Sequence, residues 1–441
     1  MTSQLTSADT LIDARWVIPV EPAGAVLGHH SVVITAGAIS DVLPTEEAQR
    51  RYTPREHYIL DEHVLIPGLV NLHTHAAMTL MRGVRDDVTL MEWLNSYIWP
   101  AELHYASAEM VRDGTLLACA EMMRGGITCF NDMYFFPEAA GDAVLHAGMR
   151  AALGIIVVEF QSPYASDAGD YLAKGLAMRD SRRDEPLLSF CIAPHAPYSV
   201  SDATFERIAT YSAELDLPVH LHLHETVDEV RESIKAHGER PLARMRRLGL
   251  LGPSLIAVHA VHVDTGEVDL LAAEGVHVAH CPTSNLKLAS GIAPVAAMRK
   301  AGINVGLGTD SAASNNRLDV FSELRLAALL AKGSTADATA LSAQDALEMA
   351  TLNGARALGL EEHIGSLKAG KRADVVAVDL SALELSPCYD PLSHLVYAAG
   401  REHVSHVWID GKLRVKDREI IDLDSAELKA KARYWREKIQ A

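Results

Sequence analysis

From residue 69 onward the sequence alternates short apolar runs, each ending in a polar cluster, with longer stretches of helical spacing. This alternation constrains the fold more than any other feature. The runs are Leu69 to His73, Ile127 to Asn131, Ala151 to Val158, Leu187 to Ala193, Pro218 to Leu223, Leu255 to His259, Val276 to His280 and Ile303 to Gly308. Between them, segments such as Ser107 to Arg124 and Ala203 to Leu215 place apolar residues at helical spacing. Strands separated by helices form βαβ units, and such units form parallel sheets. Eight of them fit an α/β fold of the (β/α)8 barrel type.

The two chain ends differ from this centre and resemble each other. Val32-Val33-Ile34-Thr35 is β-branched and runs into the turn signal Ala36-Gly37-Ala38. His57 to Leu60 and Val64 to Ile66 read as two strands with the polar pair Asp61-Glu62 between them, and Pro67-Gly68 punctuates the chain. After residue 360, Ala373 to Val378 and His406 to Lys412 are strand-like, and Asp410-Gly411 is a hairpin signal. These readings predict a small β-sandwich built from residues 1–66 and 361–441 around a barrel of residues 67–360. Ser425 to Gln440, charged and helically spaced, is expected as a surface helix.

Composition excludes several function classes. With 441 residues, 49% of them hydrophobic, the chain can bury a large core. A net charge of −18 without a basic cluster argues against a nucleic-acid partner. The basic stretch Arg240 to Arg247 is interleaved with Leu242 and Met245 and reads as one solvated helix face. Five cysteines without paired spacing read as free thiols in a reducing compartment. No basic leader with an apolar stretch opens the chain, and no run of about 18 apolar residues occurs, so neither a signal peptide nor a membrane span is expected. The cytoplasm is the expected location.

In a parallel barrel, catalytic groups sit where strands end at the C-terminal face. Here the strand ends carry groups that bind metals or move protons. The first ends Asn71-Leu72-His73-Thr74-His75, and residues two apart on a strand point to one side. A lone His-x-His is weak, but this one follows a Pro-Gly-Leu-Val strand entrance. The fifth ends His220-Leu221-His222-Leu223-His224-Glu225. Burying several imidazoles without partners would cost about 1–3 kcal/mol each. One as a ligand, with a carboxylate nearby for acid–base work, is the less costly reading; His224 need not touch a metal. The sixth ends His259-Ala260-Val261-His262, the seventh His280-Cys281-Pro282 and the eighth Gly308-Thr309-Asp310-Ser311. An aspartate after glycines is usually a cap or turn residue; beside the other strand ends, Asp310 becomes a ligand or proton acceptor. Three imidazoles and one carboxylate suit zinc or ferrous iron with a position left for water, whose pKa the ion can lower to about 7. Neither middle strand ends in a lysine that could bridge a second ion, so one divalent metal per subunit is expected.

Taken together, Pro67-Gly68-Leu69-Val70-Asn71-Leu72-His73-Thr74-His75, His222 with Glu225, His259 and Gly308-Thr309-Asp310 resemble the amidohydrolase superfamily. Trp99-Pro100-Ala101-Glu102, Pro194-His195-Ala196-Pro197-Tyr198, Ser284-Asn285-Leu286-Lys287-Leu288 and the segment Thr309 to Asn316 are similar to its 5-methylthioadenosine/S-adenosylhomocysteine deaminases. The resemblance implies that His73, His75, His222 and Asp310 bind zinc, with Fe2+ as the other candidate. It implies that Glu225 shuttles the proton, that His259 polarises the attacking hydroxide, and that Asp310 also serves in catalysis. Glu102 would hold the ribose hydroxyls, His195 would contact substrate, and Arg150 in Gly148-Met149-Arg150 matches a family arginine that contacts the ligand. Met78, Leu80, Trp93 and Trp99 are candidate walls for an apolar 5′ group. The implied reaction is hydrolytic deamination of 5′-methylthioadenosine, with S-adenosylhomocysteine or adenosine as weaker substrates, in a homo-oligomer (dimer or tetramer). A ring-amine hydrolase acting on guanine, an oxidised purine or an aminated s-triazine is the alternative. A barrel scaffold that has lost catalysis would lack ligands, and here every required position is filled.

Overall fold

The structure, a computed structural model, describes residues 5–440. At its centre is an eight-stranded sheet whose neighbours are all parallel and follow chain order. Its strands are Leu69–Thr74, Ile127–Asp132, Arg150–Val157, Leu188–Pro194, Val219–Leu223, Leu255–His259, His277–His280 and Val305–Leu307. The barrel expected from the alternation is therefore present. The eighth strand is shorter than the apolar run because only Val305, Gly306 and Leu307 find partners, on Val278–His280. Asn71 closes the seam between the first and eighth strands: its amide donates to Thr309 Oγ1 at 2.8 Å and its Oδ1 accepts the Thr309 N–H at 2.9 Å.

Several of the helices between strands begin at polar caps. Ser107 accepts from the Met110 N–H at the start of Ala108–Arg124, and Ser201 from the Thr204 N–H at the start of Asp202–Leu215. Asp264 and Glu267 form a reciprocal capping box ahead of Thr265–Glu274. Such caps satisfy N–H groups that the helix itself leaves unpaired, and they fix where each chain leaves the barrel mouth.

The chain ends meet in a second, mixed sheet. Its strand order is Glu419–Ile420, Lys412–Lys416, Val404–Ile409, Val375–Asp379, Tyr52–Pro67, Thr6–Val17, Leu27–Thr35 and Ala38–Pro44. It is one continuous sheet that curls back on itself, where Ile39 N–H donates to Lys371 O at 2.8 Å. Ile12, Val17, Ile34, Leu65, Val375 and Trp408 pack in a core within the curl. Tyr52–Pro67 is a single strand of 16 residues, not two. Asp61 and Glu62 do not break it because they bulge outward, where the register with the first strand slips between Ala14 and Trp16, and both stay exposed. Asp410 and Gly411, with φ of 54° and 74°, make the tight turn that pairs Ile409 with Lys412.

The last helix, Ser425–Gln440, is only partly a surface element. Leu428 and Trp435 are buried, and Asp113 of the first barrel helix accepts from Lys431 Nζ at 2.8 Å and Trp435 Nε1 at 2.9 Å. Among the described residues the five cysteines are free, and no helix is long and apolar enough to cross a membrane.

Candidate active site

The strand ends converge at one mouth of the barrel. His73 Nε2 lies 3.2 Å from His222 Nε2 and 3.3 Å from Asp310 Oδ1, and His75 Nε2 lies 3.3 Å from the same oxygen. An ion held tetrahedrally at about 2.0–2.1 Å would set its ligand atoms about 3.3 Å apart, so these spacings match the edges of such a site. The tautomers agree. His75 Nδ1 donates to Met133 O at 2.5 Å and His222 Nδ1 to His195 O at 2.7 Å. Each ring therefore turns an unprotonated Nε2 inward, and lone pairs this close repel unless a cation lies between them. His73 Nδ1 bonds His220 Nε2 at 2.9 Å, which leaves its Nε2 for the same centre. These residues fit a divalent metal.

Two of the converging residues, His259 and Asp310, and His224 in the turn beside them sit in strained backbone. His224, His259 and Asp310 have φ of 56°, 72° and 60°, in the left-handed region that side-chain-bearing residues rarely adopt. Gly308, two residues before Asp310, serves close packing. A Cβ on Gly308 would lie 2.8 Å from His73 Cβ and 2.9 Å from His73 N, so glycine is required for close approach of the first and eighth strands.

Burial and the neighbouring side chains together set the charge states. It pushes the His73 imidazole down to about 4 and His195 to about 3, so both rings are neutral near pH 7. Burial alone would raise Asp310, but His73 and His75 beside it outweigh that and hold its carboxyl well below the usual range. The Glu225 carboxyl is raised by burial, against a lowering pull from His259, whose Nε2 is 3.8 Å from Glu225 Oε2. Asn285 Oδ1 accepts from His259 Nδ1 at 2.8 Å, and Ser284 Oγ donates to Asp310 Oδ2 at 2.6 Å. The hydroxyl and amide of the Ser284-Asn285 pair thus orient two groups of the cluster, a role the sequence reading left unassigned.

A cavity opens above these groups. His195, Glu225, His259 and Asp310 line its floor, and Glu102 lies on the wall with Trp99. Glu102 comes from the helix Trp99–Tyr105 and is buried, which pushes its carboxyl up to about 7 against the pull of the Tyr134 hydroxyl and His75. Met78, Trp93 and Trp99 are on the wall as expected; Leu80 packs against the apolar core instead. Beside Glu102 lies an adjoining annex that shares Trp99, Phe135 and Phe160 with the cavity wall and is completed by Leu103, Ser162 and Pro163. The sequence reading missed Phe135 and Phe160, although both follow strand ends at the C-terminal face, where site residues are expected.

Arg150 does not reach this cavity. It opens the third strand at the barrel's opposite face, and the far end of that strand approaches the site. Its Nε and Nη2 donate to the Asp374 carboxylate at 3.1 and 3.3 Å, and its Nη1 to Pro186 O at 3.1 Å. The expected ligand contact is therefore corrected: strand direction places this guanidinium between the barrel and the second sheet.

Comparison with known proteins agrees with the fold. The amidohydrolase family pattern matches residues 64–414. A 5-methylthioadenosine/S-adenosylhomocysteine deaminase of Teredinibacter turnerae is 49% identical, covering 99% of each chain. The zinc-bound crystal structure of an adenosine deaminase from Xanthomonas campestris superposes with a TM-score of 0.98 at 50% identity, covering 99% of this chain and 100% of the other. Atrazine chlorohydrolase from Arthrobacter aurescens, at 23% identity and a TM-score of 0.89 over 97% of this chain and 99% of the other, shares the fold. From the conserved architecture and the extent of these matches, the chain belongs to the amidohydrolase family, on the branch of the 5-methylthioadenosine/S-adenosylhomocysteine deaminases.

Proposed function

We propose that this chain hydrolyses the C6 amine of 5′-methylthioadenosine, releasing ammonia and the corresponding inosine analogue. The observation that carries the reading is the two-ended cavity, with His222, Glu225, His259 and Asp310 at one end and buried Glu102 leading to an apolar annex at the other. His73, His75, His222 and Asp310 are the residues that would hold one divalent ion, zinc or iron. When bound, such an ion supplies Lewis-acid activation of a water molecule.

The remaining chemistry is assigned to side chains. Glu225 takes a proton from the attacking water and gives it to ring N1 as the oxygen adds to C6. His259, its Nδ1 held by Asn285, turns Nε2 toward the attacking oxygen and orients it. Asp310 accepts the second proton and passes it to the departing amine, so that C6 keeps the oxygen as a carbonyl and ammonia leaves. Glu102 accepts hydrogen bonds from both ribose hydroxyls, a task suited to one carboxylate and two adjacent donors. His195, neutral and bonded through Nδ1 to Ser199 Oγ at 3.1 Å, contacts the substrate through its other face.

The annex favours a methylthio group over homocysteine. Among the described residues, those lining the cavity and its annex include no Lys or Arg to meet a carboxylate, and Glu102 would repel one. The test is ammonia release from 5′-methylthioadenosine, S-adenosylhomocysteine, adenosine, guanine and an amino-s-triazine, with metal content measured on the same sample. Turnover of methylthioadenosine ahead of the others is expected. Turnover of free bases or triazines with adenine nucleosides untouched would overturn the reading.

A further inference from the structure

The turn that delivers Glu225 is held by a residue with no part in the reaction described above. Thr226 caps the helix Val227–His237, and its hydroxyl accepts from the Glu229 N–H at 3.1 Å. A glutamate at this third helical position ordinarily reaches back to the N–H of the cap itself. Glu229 reaches further. Its Oε1 accepts the His224 N–H at 2.9 Å and its Oε2 the Glu225 N–H at 2.8 Å, so both oxygens clamp two successive backbone groups. The clamped turn includes His224, which is in the left-handed region at φ 56°. The imidazole of His224 is fixed as well: Nδ1 donates to His262 O at 3.0 Å and Nε2 accepts the Leu242 N–H at 3.0 Å. Glu229 is 9% exposed and the His224 ring is fully buried, so water does not compete for these bonds.

We propose that Glu229 is a positioning residue that fixes the backbone of Glu225 and so sets where the proton-transferring carboxylate stands. The inference rests on the reading in which Glu225 moves the proton. Misplacing a reacting group by about 1 Å can cost about 10²-fold in rate, which sets the scale of the effect.

The experiment compares E229Q, E229D, T226A, E225Q and the double variant E225Q/E229Q in zinc-loaded enzyme with 5′-methylthioadenosine. Glutamine keeps the volume but presents one acceptor and one donor to two N–H groups; aspartate keeps both carboxyl oxygens but falls one methylene short. Both variants are expected to lower kcat by about 10- to 100-fold, with KM and zinc content unchanged. T226A loosens the same helix start without removing the clamp, and is expected to lower the melting temperature with kcat near the parent's. In the E225Q background the further change E229Q is expected to cost nothing, because its effect runs through the carboxylate already removed. Parental kcat in E229Q and E229D, a kcat loss in T226A equal to theirs, or a separate loss in the E225Q background would each overturn the proposal. Near-parental turnover in E225Q itself would instead remove the proton-transfer reading beneath it.

Discussion

The backbone N–H of Asp310 donates to the His73 carbonyl at 3.0 Å, while Asp310 Oδ1 lies 3.3 Å from Nε2 of the same histidine. One pair of residues thus ties the first strand to the turn after the eighth and brings an imidazole against a carboxylate at the centre of the site. The barrel cannot open at this seam without dispersing the cluster. Fold closure and the candidate metal site are therefore coupled.

That coupling predicts how metal removal and D310N behave. The asparagine keeps the backbone bond to His73 but removes the charge that His73 and His75 face. Metal content by elemental analysis is expected to fall and deamination to be lost, with the circular dichroism spectrum retained. In the parent, chelation is expected to lower the melting temperature, since a ligand present at 100 times its Kd contributes about 2.7 kcal/mol to stability. A parent whose melting temperature is indifferent to chelator would break the proposed link.

Glu225 stands 3.8 Å from His259 and is raised by burial, which suits a group that must both take and give a proton. E225Q preserves shape and hydrogen bonding but cannot carry a proton. Its kcat is expected to fall by about 10²–10⁴-fold, the usual contribution of a positioned acid–base group. Zinc content and binding of 5′-methylthioadenosine, measured calorimetrically, are expected to persist. A proportionate loss of zinc would reassign Glu225 to the ligand set.

Glu102 predicts a pH dependence with a definite sign. Its folded-state pKa is about 7, whereas an unfolded glutamate titrates near about 4.3. Between these values the folded chain holds a proton that the unfolded chain has lost, so this group's contribution to stability falls as pH rises through that window. Metal-stripped E102Q is therefore expected to melt above the metal-stripped parent at pH 8 and alongside it at about pH 4, below the window. The same substitution is expected to raise KM for nucleosides, because an amide accepts at one oxygen only. Equal effects on a nucleoside and on its free base would remove the ribose assignment.

The annex wall gives a specificity prediction. Phe160 is 42% exposed at the boundary between cavity and annex, so a longer cationic side chain there has room and keeps its hydration. F160R is expected to raise kcat/KM for S-adenosylhomocysteine relative to 5′-methylthioadenosine by about tenfold, the equivalent of one charge-assisted hydrogen bond worth about 1.4 kcal/mol. An unchanged ratio would mean that the 5′ substituent points elsewhere.

The parts of this molecule that were legible from sequence are those with short-range signatures. Strand ends reveal themselves because apolar runs stop at histidines, and Asp410-Gly411 announces its own turn. The long strand Tyr52–Pro67 was not legible, since Asp61-Glu62 looks like a break unless the partner strand's slip at Ala14 and Trp16 is known. The Glu229 clamp was equally hidden: a glutamate after a capping threonine reads as an ordinary helix start, and only the positive φ of His224 shows that it holds something more. Arg150 shows the opposite failure. Its motif invites a ligand role, but strand direction, a property of the assembled sheet, sends it to the other face.

That placement makes Arg150 the source of a stability prediction without a kinetic one. The Arg150 and Asp374 side chains are 7% and 2% exposed, and the same carboxylate accepts the Asp410 N–H at 2.8 Å, so the pair pins the barrel to the hairpin of the second sheet. Burial alone would lower the affinity of the guanidinium for its proton, but the facing carboxylate outweighs this and keeps the arginine charged. R150A leaves that carboxylate buried and unpaired, and breaking one partner of such a pair costs about 3–5 kcal/mol. Denaturant unfolding of R150A is expected to show this loss, while kcat/KM on 5′-methylthioadenosine, measured where the variant is folded, stays at the parental value. R150A/D374A is expected to recover part of the stability, because the second change removes the stranded charge. A selective rise in KM in R150A with stability unchanged would return Arg150 to the binding site.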